Sequence, residues 1–346
     1  MVLKADNSEK TVNASVHNST GIIELNRPRA LNSLNQEMIE LIHGALAAFR
    51  DEDSVEQVLI CSTSEKAFCA GGDVRAVREA VLEGNLAAGD RYFVEEFNVN
   101  DELGNFPKPV ISVIDGVVMG GGLGVSMHGS HRVITEKAFA SMPEMAIGYV
   151  PDVGFTYFSQ RVTTPAIATF LGVTGWRMSP ADMLWAGVAT EFIHSRDVGA
   201  FIETLIDDSL ATALATYATS PAEPSRLASY AEQINSTFGA GSWKLIDAAL
   251  DAYGDREFVA EVRGLMKNAA PESVVAATIL FAANRDADSL RAALNNELAV
   301  SLHLIRRPDF LEGVRAVLVD KDRNAVFHPA TFGEVDEQTY RNLLSL

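Results

Sequence analysis

The chain has 346 residues, room for one large domain or two smaller ones, and its 47% hydrophobic and 21% charged residues are ordinary for a soluble globular protein. A formal net charge of −18 argues against a general nucleic-acid partner, and it requires any anionic substrate to be met by a local basic cluster. No apolar run approaches the roughly 20 residues that span a bilayer, so no membrane partner is expected. The first ten residues, M-V-L-K-A-D-N-S-E-K, lack the apolar core of a signal peptide. Cys61 and Cys69 are too few for a disulfide framework and have no metal-ligand spacing. The resulting expectations are a cytoplasmic location, no metal and no redox cofactor.

In chain order, residues 14–17 and 21–25 read as two short strands with Asn18-Ser19-Thr20 turning between them. Asn26-Arg27-Pro28-Arg29 breaks that pattern. Asn35 starts a helix that keeps Met38, Leu41, Ile42, Ala45, Leu46 and Phe49 on one face. Residues 58–61 form a buried strand. Glu65-Lys66-Ala67-Phe68-Cys69-Ala70-Gly71-Gly72-Asp73 then sets a glycine pair ahead of a helix from Val74, with Asp73 near its start. A longer helix, residues 86–103, carries Glu96 on the same face as Phe93, Asn100 and Leu103.

The chain is organised around residues 111–129, I-S-V-I-D-G-V-V-M-G-G-G-L-G-V-S-M-H-G. A Val- and Ile-rich strand ends at Gly116, and Gly120, Gly121 and Gly122 open a helix. Glycines at such a junction let backbone N–H groups approach another molecule, and a helix start leaves those groups unpaired. Three familiar uses fail on spacing. Val125 stands where a dinucleotide fingerprint needs its last glycine, and no Lys-Ser or Lys-Thr follows as in a P-loop. Gly124-Val125-Ser126-Met127-His128 lacks the closing glycine of a serine nucleophile elbow. What remains is a site for a partial negative charge on oxygen, for which the earlier glycine pair offers a second donor at Gly72.

Strands follow over residues 132–135 and 138–141, then Met142-Pro143-Glu144 and Gly148-Tyr149-Val150-Pro151-Asp152-Val153-Gly154. Helical patterns continue from about Pro165, and Ser179-Pro180-Ala181-Asp182 marks a clear helix start. Strand and helix alternate to about Asp208, and almost everything beyond reads as helix. An α/β domain over residues 1–208, carrying the active site, is expected to be followed by a helical region over 209–346 that packs on it. Each candidate also has a plainer reading. The glycines mark tight turns, Ser141-Met142-Pro143-Glu144 fits an S-x-x-E capping box, and Asp152 suits a turn or helix cap. Glu96 suits a solvated helix edge, Cys69 a small buried residue, and His128 a side chain near a helix's last carbonyls.

Together these segments resemble the crotonase (enoyl-CoA hydratase/isomerase) superfamily, and most closely its 3-hydroxyisobutyryl-CoA hydrolase branch. The likeness rests on Asn26-Arg27-Pro28 with Leu31-Asn32-Ser33-Leu34, on Lys66 through Asp73, and on Met119-Gly120-Gly121-Gly122. It continues in Thr135-Glu136-Lys137, Met142-Pro143-Glu144 with Ala146-Ile147-Gly148, and Pro151-Asp152-Val153-Gly154. Near the end Val319-Asp320-Lys321-Asp322-Arg323 and His328-Pro329-Ala330 also match, so the likeness covers nearly the whole chain.

The resemblance implies a spiral of repeated ββα units with a C-terminal helical region, and a CoA thioester as substrate, its carbonyl oxygen between the N–H groups of Gly72 and Gly121. Removing one such donor typically costs about 2.7–4 kcal/mol of barrier. It also implies that adenine and pantetheine lie along the N-R-P and K-A-F segments, with Ala67, Phe68 and Ala70 in contact and Arg29, Lys66 and Lys321 meeting the phosphates. Glu96 contacts substrate. A hydratase of this superfamily uses two glutamates, one of them three residues past the oxyanion glycine; here that position is Gly124, while Glu144 is kept and Asp152 adds a carboxylate. The expected activity is therefore hydrolysis of 3-hydroxyisobutyryl-CoA, a step of valine breakdown, with Glu144 and Asp152 as catalytic residues. An enoyl-CoA hydratase or isomerase, and a non-catalytic binding or scaffold protein of the same fold, are the rival readings. Trimers and hexamers are common in the superfamily, and a helical tail can cover or replace those contacts, so self-association stays open.

Overall fold

Short β-branched runs broken by turn residues become the strands of two sheets. β1 (Val12–His17) and β2 (Thr20–Leu25) pair antiparallel from Val12↔Leu25 to His17↔Thr20, with Asn18 at φ 51 in the turn. β3 (Gln57–Ser62) runs parallel to β2. β4 (Ala67–Cys69) leaves for the second sheet, and β5 (Val110–Ile114), buried at every position, returns beside β3. β6 (Val117–Met119), β7 (His131–Ile134), β8 (Phe139–Ser141) and β9 (Glu191–Phe192) complete the set among the residues that this computed structural model describes, 10–346. The larger sheet has the order β1-β2-β3-β5-β7-β9, parallel after the first hairpin, and the smaller has the order β4-β6-β8.

The repeat is now explicit. β3 and β4 lead into the helix Val74–Leu82, β5 and β6 into the turn Gly121–Gly124, and β7 and β8 into the 3₁₀ turn Glu144–Ile147. In each of these three repeats a strand of the large sheet is followed by a short one of the small sheet and then a helical turn, the expected ββα spiral. Every assigned element beyond Asp208 is helical. No helix is long and apolar enough to cross a membrane among the described residues. Residues 1–9, all but the last of the ten read for a signal peptide, lie outside the described residues.

Contacts divide the chain into two units that alternate along it. The first comprises the chain up to Gly72, Asn98–Ala140 and Met178–Arg226, and the second comprises Asp73–Phe97, Ser141–Arg177 and Leu227–Leu346. The sequential division expected at residue 208 is a boundary of another kind, since each unit draws on both sides of it. In the first unit, Ile22, Leu59, Ile111 and Val133 present one face of the large sheet to Phe201 and Leu205 of the helix Val198–Asp207. The second is a helical assembly in which aromatic rings interlock, as where Phe170 meets Phe238 edge-on at 5.2 Å.

Helix starts form where the caps predict. The Asn35 side chain accepts from the Met38 amide at 3.0 Å, and Ser179 with Asp182 makes a reciprocal capping box. Sequence patterning missed β9 and the strand character of Ala67–Cys69. It also overextended the helix after Gly120, which is a single turn, Gly121–Gly124.

Gly122 is held to glycine by a close approach: an added Cβ would sit 2.3 Å from the Cys69 carbonyl oxygen. Gly44, exposed inside the helix Gln36–Asp51, has nothing within 4 Å of such a Cβ. Gly122→Ala should therefore destabilise by about 1–3 kcal/mol, and Gly44→Ala should stabilise by about 0.5–1 kcal/mol. Urea midpoints at fixed slope check both.

Candidate active site

Two parallel strands of the small sheet carry the glycine segments out side by side. β4 pairs with β6 in register Ala67↔Val117 and Cys69↔Val118, so Gly72 and Gly121 leave neighbouring strands in the same direction. A Cβ placed on Gly71 would lie 3.3 Å from the Met119 carbonyl and 3.9 Å from the Gly121 amide nitrogen. Among the described residues, neither the Gly72 nor the Gly121 N–H has an acceptor. The one-turn length of Gly121–Gly124 leaves little macrodipole, so what these positions offer is unpaired N–H groups rather than a helix field.

The loop before β4 is tied to it by polar contacts. Asn32, fully buried at φ 55, donates to the Phe68 carbonyl at 3.0 Å and to Ser62 Oγ at 2.7 Å, and accepts from the Arg27 amide at 2.7 Å. The Ala70 amide donates to the Leu31 carbonyl and the Leu34 amide to the Gly71 carbonyl. Arg29 and Lys66 are exposed and have no ion pair among the described residues. Ala67 and Phe68 are fully buried in β4, so only their backbone is on offer, and Ala70 is half-buried. Cys69 is the small buried residue of its plain reading, its thiol on the Asn32 carbonyl. Lys321, in the second unit, is exposed at φ 60.

The second unit gathers the carboxyl groups. Glu96 stands on the helix Leu86–Gly104 and is only 3% exposed, which overturns its reading as a solvated edge. Glu144 begins the 3₁₀ turn Glu144–Ile147 and is 6% exposed, with Oε2 unpartnered. No side-chain cap forms at that turn; Ser141 Oγ donates instead to the Gly175 carbonyl at 2.8 Å, so the capping-box reading fails. The turn is braced from behind, because added Cβ atoms on Gly148 and Gly313 would lie 2.4 Å from Asp309 and Ile147 backbone carbons. That approach seats it on the helix Pro308–Val314.

Asp152 is 4% exposed and accepts from the Tyr149 hydroxyl at 2.9 Å on Oδ2. The Tyr149 ring stacks on Phe93 at 5.3 Å and leans on Phe310 at 5.9 Å. Phe93 lies three residues before Glu96 on the same helix, so aromatic packing places the hydroxyl that anchors Asp152 beside the Glu96 face.

These carboxyls feel one another. Burial raises the Glu96 carboxyl well above its usual range, and the Asp152 charge adds to it. Burial raises Glu144 likewise, with Asp152 and then Glu96 as further causes. Burial pushes Asp152 up to about 7, against the pull of the Tyr149 hydroxyl and a backbone donor. Sequence reading did not find a fourth carboxyl, that of Glu297, pushed up to about 8 by burial against the pull of Thr156 and the Gly154 amide. Like charges buried this close cannot all persist at neutral pH. The arrangement holds carboxyls ready to take or give a proton near neutrality. No group of three or more His, Cys, Asp or Glu able to hold a metal occurs among the described residues.

A family model for enoyl-CoA hydratase/isomerase matches residues 20–344. The chain belongs to that family, the crotonases. Over 329 residues it is 36% identical to a protein of Xenopus tropicalis named "3-hydroxyisobutyryl-CoA hydrolase, mitochondrial", covering 92% of this chain and 84% of that one. A human protein of the same name is 35% identical over 333 residues, 93% of this chain and 85% of that one. Among solved structures, a carnitinyl-CoA dehydratase from Mycobacterium thermoresistibile superposes with TM-score 0.90 at 33% identity, covering 96% of each chain. An enoyl-CoA hydratase from Rhodobacter sphaeroides superposes with TM-score 0.88 at 33% identity, covering 97% of each. The relatives' names correct the expected cytoplasmic location, since they say mitochondrial. That expectation rested on a missing apolar signal core, whereas organelle transit segments are amphipathic and have none.

The raised carboxyls also set the pH dependence of stability. Between its unfolded and its folded pKa each carboxyl holds a proton in the folded chain that the unfolded chain has lost, so stability falls as pH rises. The window runs from about 4 to the folded value near 7 for Asp152. The Tm should therefore fall between pH 5 and pH 8, and Glu144→Gln should shallow the slope and leave the protein more stable than wild type at pH 8. Calorimetry across that range checks both.

Proposed function

We infer that the chain is an acyl-CoA thioester hydrolase that converts 3-hydroxyisobutyryl-CoA and water to 3-hydroxyisobutyrate and CoA. One observation carries the choice within the family. The position where a hydratase of this family has its second acid–base glutamate is Gly124, while Glu144 is retained and Asp152 is buried in its company. Adding water across a double bond needs a proton taken from the water whose oxygen bonds one carbon and a proton delivered to the neighbouring carbon. Hydrolysis needs only a polarised carbonyl and one base or nucleophile. The two solved structures named above, a dehydratase and a hydratase, favour the rival reading by name. The missing carboxyl at 124 and the shared name of the sequence relatives weigh more.

In this reading the Gly72 and Gly121 amides polarise the thioester carbonyl. Glu144 either removes a proton from the attacking water or adds its own oxygen to the carbonyl carbon, giving a mixed anhydride that water then opens. Either route breaks the carbon–sulfur bond with the electron pair leaving on sulfur. A thiol pKa of about 8.5 lets that group leave with little acid assistance. Asp152, held by Tyr149, orients the water or the substrate hydroxyl and raises the Glu144 basicity through its charge. Arg29, Lys66 and Lys321 are the cations available for CoA phosphates, and the Ala67, Phe68 and Ala70 backbone lines the path to them. Glu96 contacts the acyl group.

Two assays separate the readings. Thiol release from 3-hydroxyisobutyryl-CoA without loss of crotonyl-CoA absorbance is expected; rapid loss of that absorbance without thiol would establish a hydratase. Glu144→Gln should lower turnover at least about 100-fold while thioester binding, read by calorimetry, survives. Asp152→Asn should lower turnover less severely.

A further inference from the structure

Asp152 sits at a strained point of the backbone. Val153, next to it, is fully buried at φ 53, a left-handed conformation that a β-branched residue rarely adopts, and Gly154 follows at φ 83. Such a turn persists only where its surroundings enforce it. Gly154 is the N-cap of the helix Phe155–Val162 and has no side chain to satisfy that helix's first amides. The missing cap comes from the helix Leu290–Leu304. Glu297 Oε2 accepts from the Gly154 amide at 2.6 Å, and its Oε1 accepts from the Thr156 amide at 3.2 Å and the Thr156 hydroxyl at 2.5 Å. Asn284 Nδ2 donates to the Thr156 hydroxyl oxygen at 2.6 Å, which commits the hydroxyl proton to Glu297. Asn296 in turn donates to Asn284 Oδ1 at 2.8 Å, so the network is closed on both sides.

We propose that Glu297 is a positioning residue for Asp152: by binding the Gly154 and Thr156 amides, which follow the left-handed Val153, it holds that residue in place, and so aims the Asp152 carboxyl at the Tyr149 hydroxyl and its companion carboxyls. This rests on the reading of Asp152 as part of the hydrolytic machinery. A carboxyl that only joined two helices would have no reason to meet its partner helix at the amides just past the strained residue. Three donors converge on two acceptor oxygens, and a glutamine of the same size supplies only one oxygen and sets an NH₂ group against an N–H donor.

The test is a kinetic cycle on the full-length protein, scored per folded molecule by thiol release. Glu297→Gln is expected to lower kcat about 10- to 100-fold with KM changed less than about threefold. In an Asp152→Asn background the same substitution is expected to change kcat less than about twofold. Wild-type kcat in Glu297→Gln, or losses that multiply fully in the double variant, would overturn the proposal while leaving Asp152 in its role. Full activity in Asp152→Asn alone would remove the reading on which it rests, and the proposal with it. If Glu297→Gln fails to fold, Thr156→Val is read the same way: a several-fold loss of kcat that vanishes beside Asp152→Asn supports the clamp, and an undiminished loss overturns it.

Discussion

The structure depends on one electrostatic constraint, the burial of several carboxyl groups in one part of a helical unit with few donors to pair them. Glu96, Glu144 and Asp152 are each less than a tenth exposed, and the first two each have an oxygen with no partner. A buried carboxylate without a full set of hydrogen bonds is costly, and a folded protein tolerates it only where the rest of the packing over-determines the position. Much of the second unit supplies that packing. The stacked Phe93 and Tyr149 rings, the Gly148 and Gly313 backbone contacts and the Glu297 network each fix one carboxyl or the backbone that bears it.

The first unit solves a different problem, keeping backbone N–H groups unpaired without leaving them buried and unsatisfied at random. Parallel pairing of β4 with β6 uses the strand hydrogen bonds up to Cys69 and Val118 and then stops, so the glycines beyond emerge with amides uncommitted. Asn32 holds the neighbouring loop through both ends of its amide, which a residue of another shape could not do. The first unit holds the uncommitted glycine amides and the second unit the buried carboxyls.

Among hydration, isomerisation and hydrolysis, the proposed choice of hydrolysis rests on two positions, a glycine at 124 and the buried carboxyl of Asp152. Fold alone does not decide between these reactions, because the sheets and the spiral are shared.

The sequence by itself determined the local matters: the strand pair read at residues 14–25, the capped helix starts at Asn35 and Ser179, the glycine-rich turns, the ββα rhythm and the family. Each of these is written in a period or a spacing within some twenty residues, or in motifs quoted as they stand. Tertiary structure decided what proximity in space decides. Nothing local distinguishes Glu96 from a solvated helix residue; it is the Phe93–Tyr149 stack, across more than fifty positions of chain, that buries its face. Glu144 fits a capping box in sequence, yet Ser141 is drawn off to Gly175 and the buried carboxyl is left with Oε2 unpartnered. Glu297 carries no motif at all, because its partners at Gly154 and Thr156 lie some 140 residues earlier, and only the packing of one helix on another brings them within a hydrogen bond.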